Sequence, residues 1–141
     1  MKNLNASASF QIPGGPTLSA TASLEIEAYD RIDVTLKPGD NEKTVEIQPG
    51  AASQLRLLVI KSSLYDAGGD LTYVVSDGTN DSDPVNIDAP QIFMGGGAVG
   101  LFGVDPPKSV KFTNSLTPAG PSDTSKDAYI EILVGRDATP P

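Results

Sequence analysis

By residue type and spacing, the group best suited to chemistry is Asp77, Asn80, Asp81 and Asp83, three carboxylates and an amide within the stretch Asp77-Gly78-Thr79-Asn80-Asp81-Ser82-Asp83. Hard oxygen donors at this density are what calcium prefers, and calcium is the one cofactor the sequence raises. The spacing departs from that of an EF-hand loop, and the bidentate Glu that should follow is not at its place. The same residues also suit a solvated turn, because Asp and Asn tolerate left-handed backbone and bond their own main chain. The turn is the reading that the spacing favours.

Two other patterns are formally eligible. Gly95 to Gly100 satisfies G-x-G-x-x-G, in which backbone approaches a dinucleotide at a helix N-terminus. Two prolines, Pro106 and Pro107, follow closely, so the sequence predicts a Gly-rich connection or bulged strand instead of a nucleotide-binding helix. Glu25 and Glu27 stand two apart on a predicted strand, at about the separation that paired glycosidase carboxylates need. Acidic side chains on a solvent-facing strand also serve simply to discourage edge pairing.

The residues that are missing narrow the field further. The chain of 141 residues has no His, no Cys and no Trp. Imidazole bases, Cys and Ser-His nucleophilic sites, thiolate zinc sites and disulfide frameworks are therefore excluded. The expectation is a protein that is not an enzyme. Asp plus Glu number 18 against 10 Lys plus Arg, for a formal net charge of −8, and no basic cluster appears, which argues against nucleic acid. No apolar run approaches the roughly 18 residues of a membrane helix, so no membrane partner is expected. The first ten residues have no apolar segment of leader type, which predicts a cytoplasmic protein or one found in an assembled particle.

These residues need elements to position them, and the elements read as strands. Leu18, Ala20, Ala22, Leu24, Ile26 and Ala28 alternate with polar residues from Thr17 onward, the pattern of a half-buried strand. Ile32, Val34 and Leu36 resume it, Lys37-Pro38-Gly39-Asp40 suits a type II turn, and 31–47 reads as a hairpin. Pro49-Gly50 closes the second strand of that hairpin. Leu55 to Ile60 is apolar on both faces, as in a strand covered on both sides. Further strands are expected around 71–75, 85–87, 110–112 and 129–134. With 14 Gly and 12 Pro, no amphipathic helix is convincing. The predicted fold is all-β, an antiparallel β-sandwich of jelly-roll or immunoglobulin-like topology with about eight or nine strands in a single domain, 1–141. A mobile loop at 114–127 and a frayed tail at 137–141 complete the expectation.

The uncharged segment from Ala89 to Val104 has two readings. It runs through the core, or Ile92, Phe93, Met94, Leu101 and Phe102 form an exposed patch that marks a subunit interface. The segments LSATASLEIEAY, IDAPQIFMGGGAVGLFG and YIEILVGRDATPP together resemble, in texture, small structural proteins of bacteriophage particles such as capsid, decoration or tail components. That resemblance implies a homo-oligomer, or association with other structural proteins, with sheet edges and the apolar segment buried between copies. The alternative is a ligand- or carbohydrate-binding β-sandwich module or adhesin. Such modules stack sugars on aromatic platforms, whereas the four Tyr here, at 29, 65, 73 and 129, show no clustered spacing.

Overall fold

The computed structural model describes residues 2–47 and 54–137, and it is an all-β sandwich with a projecting arm. The strands are β1 (Lys2–Gln11), β2 (Thr17–Ile26), β3 (Ala28–Leu36), β4 (Lys43–Glu46), β5 (Gln54–Ser62), β6 (Leu71–Ser76), β7 (Val85–Asn86), β8 (Gln91–Met94), β9 (Ser109–Asn114) and β10 (Ala128–Asp137). One four-stranded sheet has the order β3-β10-β5-β8 and the other β4-β9-β6-β7; among the described residues β1 and β2 form a separate two-stranded sheet. Every pairing is antiparallel.

Period-two alternation makes the core. On the inner face of the first sheet, Leu36, Leu58, Ile60, Ile130, Ile132 and Val134 are buried; Leu71, Tyr73, Val75, Val110 and Phe112 face them from the second. Tyr73 sits 6.0 Å from Phe112 and 6.3 Å from Phe102, ring centre to ring centre. Its hydroxyl donates to Gln91 Oε1, and burial pushes its pKa well above the ordinary value. A buried phenol needs such a partner.

Two expectations about organisation are corrected. The stretch 31–47 is not a hairpin: β3 pairs with β10 and β4 with β9, so the chain crosses from one sheet to the other between them. The type II turn in that crossing does form, with the Asp40 N–H donating to the Lys37 carbonyl at 3.0 Å and Gly39 at φ 94°. Among the described residues the strands number ten, because Lys2–Gln11 and Gln91–Met94, not placed as strands from the sequence, are both strands. A short helical stretch also occurs, one α-turn α1 (Gly96–Val99) running into a 3₁₀ turn over Gly100–Phe102 that Gly103 ends in left-handed geometry. Gly95 to Gly100 is thus neither a bulged strand nor a nucleotide-binding helix start, since the helix stops after a single turn. Among the described residues no helix is long and apolar enough to cross a membrane. The turn expected at Pro49-Gly50 and the end of the tail, 138–141, lie outside the described residues.

The loop at 114–127 is held by its own hydrogen bonds. Asn114 is buried, and its Nδ2 donates to the Leu36 carbonyl at 3.1 Å and the Lys126 carbonyl at 2.9 Å, while its Oδ1 accepts the Leu116 N–H at 3.0 Å. Asp123 accepts from the Ala119 and Ser125 N–H groups, both at 2.9 Å. Those bonds, Ala119 first, hold its carboxyl down at a pKa of about 2.

Candidate functional site: an apolar arm and the sheet face at its base

The most unusual surface is the β1–β2 arm. Its register places Leu4 opposite Leu24, Ala6 opposite Ala22, Ala8 opposite Ala20 and Phe10 opposite Leu18. Because successive side chains alternate faces, these eight residues share one face. The other face pairs Asn3 with Glu25, Asn5 with Ser23, Ser7 with Thr21 and Ser9 with Ser19. From Leu4 and Leu24 out to Phe10 and Leu18 one side of the arm is thus apolar and the other polar, with Lys2 opposite Ile26 at the base of the apolar side.

Among the described residues the arm is anchored at its base. The Glu27 N–H donates to the Arg136 carbonyl at 3.0 Å, and Arg136 pairs with Asp30 at 2.8 Å. Ile26 is buried over Gly135, where a Cβ would lie 3.3 Å from Ile26 Cγ2 and 3.3 Å from Leu57 Cβ. Gly135 belongs to the outward-facing series Glu131, Leu133, Gly135 of β10, opposite in parity to the buried Ile130, Ile132 and Val134. The arm's apolar face therefore joins the outer face of the first sheet. Moving outward from the base, exposure rises to 58% at Phe10, 66% at Leu18 and 61% at Ile12.

A groove of about 190 Å³ marks the junction, lined by Asn3, Leu4, Ile26, Tyr29, Leu57, Leu133, Val134 and Gly135. No lining residue is charged. The register continues this apolar surface across the outer sheet face, since Leu133 lies beside Val59 and Val59 beside Ile92, which is 53% exposed.

The segment 89–104 answers to both of its readings. Phe93 and Phe102 pack against the core with ring centres 4.7 Å apart. Ile92 and Leu101 point out, Leu101 with 82% exposure, and Met94 is half-buried beside Leu57. Of the five residues proposed as an interface, Ile92 and Met94 share the outer face in line with the arm's surface, Ile92 exposed and Met94 half-buried.

The acidic stretch forms a turn. Asp77 Oδ1 accepts the Thr79 N–H at 2.8 Å and the Asn80 N–H at 2.6 Å, and Gly78 has φ 95°. The bond from Asn80, then that from Thr79, lowers the Asp77 pKa. A hydrogen bond with the Ser76 side chain does most to lower that of Asp81, which also meets Lys111 Nζ at 3.4 Å. Asp83 is exposed. Among the described residues no three carboxylates gather as a metal-binding group. Glu25 stands on the polar face of the arm, and Glu27 lies beyond the end of β2 at the corner into β3. Of the tyrosines, Tyr73 is buried and Tyr65 half-buried with its hydroxyl accepting the Ser62 N–H at 3.2 Å. Tyr29 and Tyr129 are exposed on neighbouring strands, but Tyr29 pairs with Gly135, six positions along β10 from Tyr129. That offset is roughly 20 Å along the strands, too far for one stacking platform.

Sequence reasoning missed the arm's first strand, although the signal was present as Leu4, Ala6, Ala8 and Phe10 alternating with Asn and Ser. In comparisons with protein-family models, curated proteins and solved structures, this chain matches none.

Proposed function

We propose that this chain is a non-enzymatic structural protein that works by self-association, of the kind that builds bacteriophage-type particles. One observation carries the reading: a ten-residue by ten-residue hairpin arm stands off the sandwich with a face that is apolar from Leu4 and Leu24 out to Phe10 and Leu18, exposed toward its tip. An isolated two-stranded hairpin is marginally stable in water at best. A protein that extends one with bulky apolar residues at its end leaves surface that a neighbour must cover. The outward-facing Ile92, Leu133 and Tyr29 at the arm's base extend that surface onto the body.

Light scattering on the full chain across a hundredfold concentration range tests the reading. Mass that rises above that of one chain supports it, and a constant mass of 14.6 kDa at every concentration refutes it.

A further inference from the structure

We infer that the arm's apolar face is covered by the arm of a second copy running antiparallel to it, with the tip of each seated in the groove at the base of the other. The inference rests on the self-association reading and adds the partner, the surface and the geometry.

Charge selects the partner. From Asn3 to Leu24 the arm carries no charged residue, within a chain of net charge −8. Another copy is equally acidic, and like charges repel across any charged contact. A neutral arm meeting a neutral groove is the approach on which two such bodies join without setting acid against acid. The groove meets that condition, with only Asn3 and apolar residues or glycine and Tyr29 lining it.

The groove at the base sets the orientation. Along the arm, bulky Leu4 and Leu24 at the base and bulky Phe10 and Leu18 at the tip flank a saddle of four alanines, Ala6, Ala8, Ala20 and Ala22. In an antiparallel pair the two saddles face each other, where small side chains let the sheets approach, and each bulky tip arrives over the other copy's base. Parallel stacking would also set saddle on saddle, but it would bring tip onto tip and leave both grooves empty. The antiparallel pair is isologous, so each contact occurs twice.

Area decides whether the tip must reach the groove. Ten residues at about 3.3 Å by two strands at about 4.8 Å give each arm face roughly 320 Å². Two faces alone bury roughly 640 Å², within the range of incidental contacts below about 800 Å². Adding the sheet surface that each tip covers, about Tyr29 and Leu133, brings the total to on the order of 1,000 Å², where specific interfaces begin.

The test uses sedimentation velocity on the full chain, compared with Phe10→Asp, Leu18→Asp and, on the polar face, Ser9→Asp. All three positions are exposed, so folding is retained, and circular dichroism checks it. The wild type is expected to form a dimer whose dissociation constant rises at least tenfold in each tip variant and less than threefold in Ser9→Asp. The chain has no cysteine, so Ala8→Cys and Ser9→Cys give single attachment points on opposite faces. A short bismaleimide should join two copies of Ala8→Cys and not of Ser9→Cys. An oligomer whose affinity ignores both tip variants, or equal crosslinking at both positions, overturns the arm-to-arm geometry and leaves the self-association reading standing. A wild type that is monomeric at every concentration overturns both.

Discussion

Replacing Asn114 by Ala should lower the stability of the sandwich by about 2–4 kcal/mol. The figure follows from what the side chain does. Asn114 ends β9 in one sheet, and its amide donates to the carbonyl of Leu36, which ends β3 in the other, and to that of Lys126, just before β10. Its Oδ1 accepts the Leu116 N–H, its main-chain N–H donates to the Asp40 carbonyl at 2.9 Å, and its carbonyl accepts the Gly39 N–H at 2.8 Å. One residue thus ties together the crossing loop, the 114–127 loop and an end of each sheet. Alanine keeps the main-chain bonds and removes three from the side chain, each worth about 1 kcal/mol net, and leaves buried carbonyls unpaired at further cost. For a chain of this size, a loss of about 3 kcal/mol moves Tm down by about 10 °C. Urea unfolding of both proteins at one concentration is the assay, since association would otherwise shift the apparent stability. Asn114→Asp should cost at least as much as Ala, because it aims a carboxylate at two carbonyl oxygens. A loss below about 1 kcal/mol for Ala, or an Asp variant as stable as wild type, would refute the clamp.

Three further outcomes follow from the structure. Because Asp123 has its pKa lowered to about 2 from an ordinary value of about 3.9, its contribution to loop order is fully present above about pH 4 and is lost as the pH falls through about 2. Amide exchange at Ala119 and Ser125 should therefore differ between wild type and Asp123→Ala at pH 5 and converge near pH 2, and a difference that persists there would contradict this. Phe112→Ala, at a fully buried site against Tyr73, should cost about 3–5 kcal/mol in urea unfolding. Gly135→Val should push Ile26 and Leu57 away from residue 135, since a Cβ there would lie 3.3 Å from each, costing about 1–3 kcal/mol and weakening self-association by displacing the arm; loss of stability with unchanged association would detach the arm's anchor from its role.

What could be read in advance depended on whether a signal was local. The alternation from Thr17 to Ile26 named both the strand and its apolar face, and the two-sided run Leu55 to Ile60 correctly announced a covered strand, Leu57 being shielded on the outer face by Ile26 at the arm's base. Pairing was not local. Residues 31–36 and 43–46 each looked like a strand next to the other, yet their partners lie about a hundred and about seventy residues away in β10 and β9. The arm was hidden for a different reason. Leu4, Ala6, Ala8 and Phe10 alternate with polar residues as β2 does, but that the two strands pair with each other, Leu4 opposite Leu24 and Phe10 opposite Leu18, is a matter of register that neither strand shows alone. In the segment 89–104, glycines and a single helical turn break the two-residue period, so nothing in the sequence told Phe93 and Phe102, which point in, from Ile92 and Leu101, which point out.

Self-association through apolar surface between acidic bodies has a distinctive dependence on salt. Sedimentation velocity of the full chain, over a concentration series at low salt and at about 0.5 M salt, measures it directly. Salt screens the repulsion between two copies of charge −8 and leaves apolar contact intact, so the dimer should form at low salt and tighten as salt rises. A species that stays at 14.6 kDa throughout, or an oligomer that dissociates as salt is added, would contradict it.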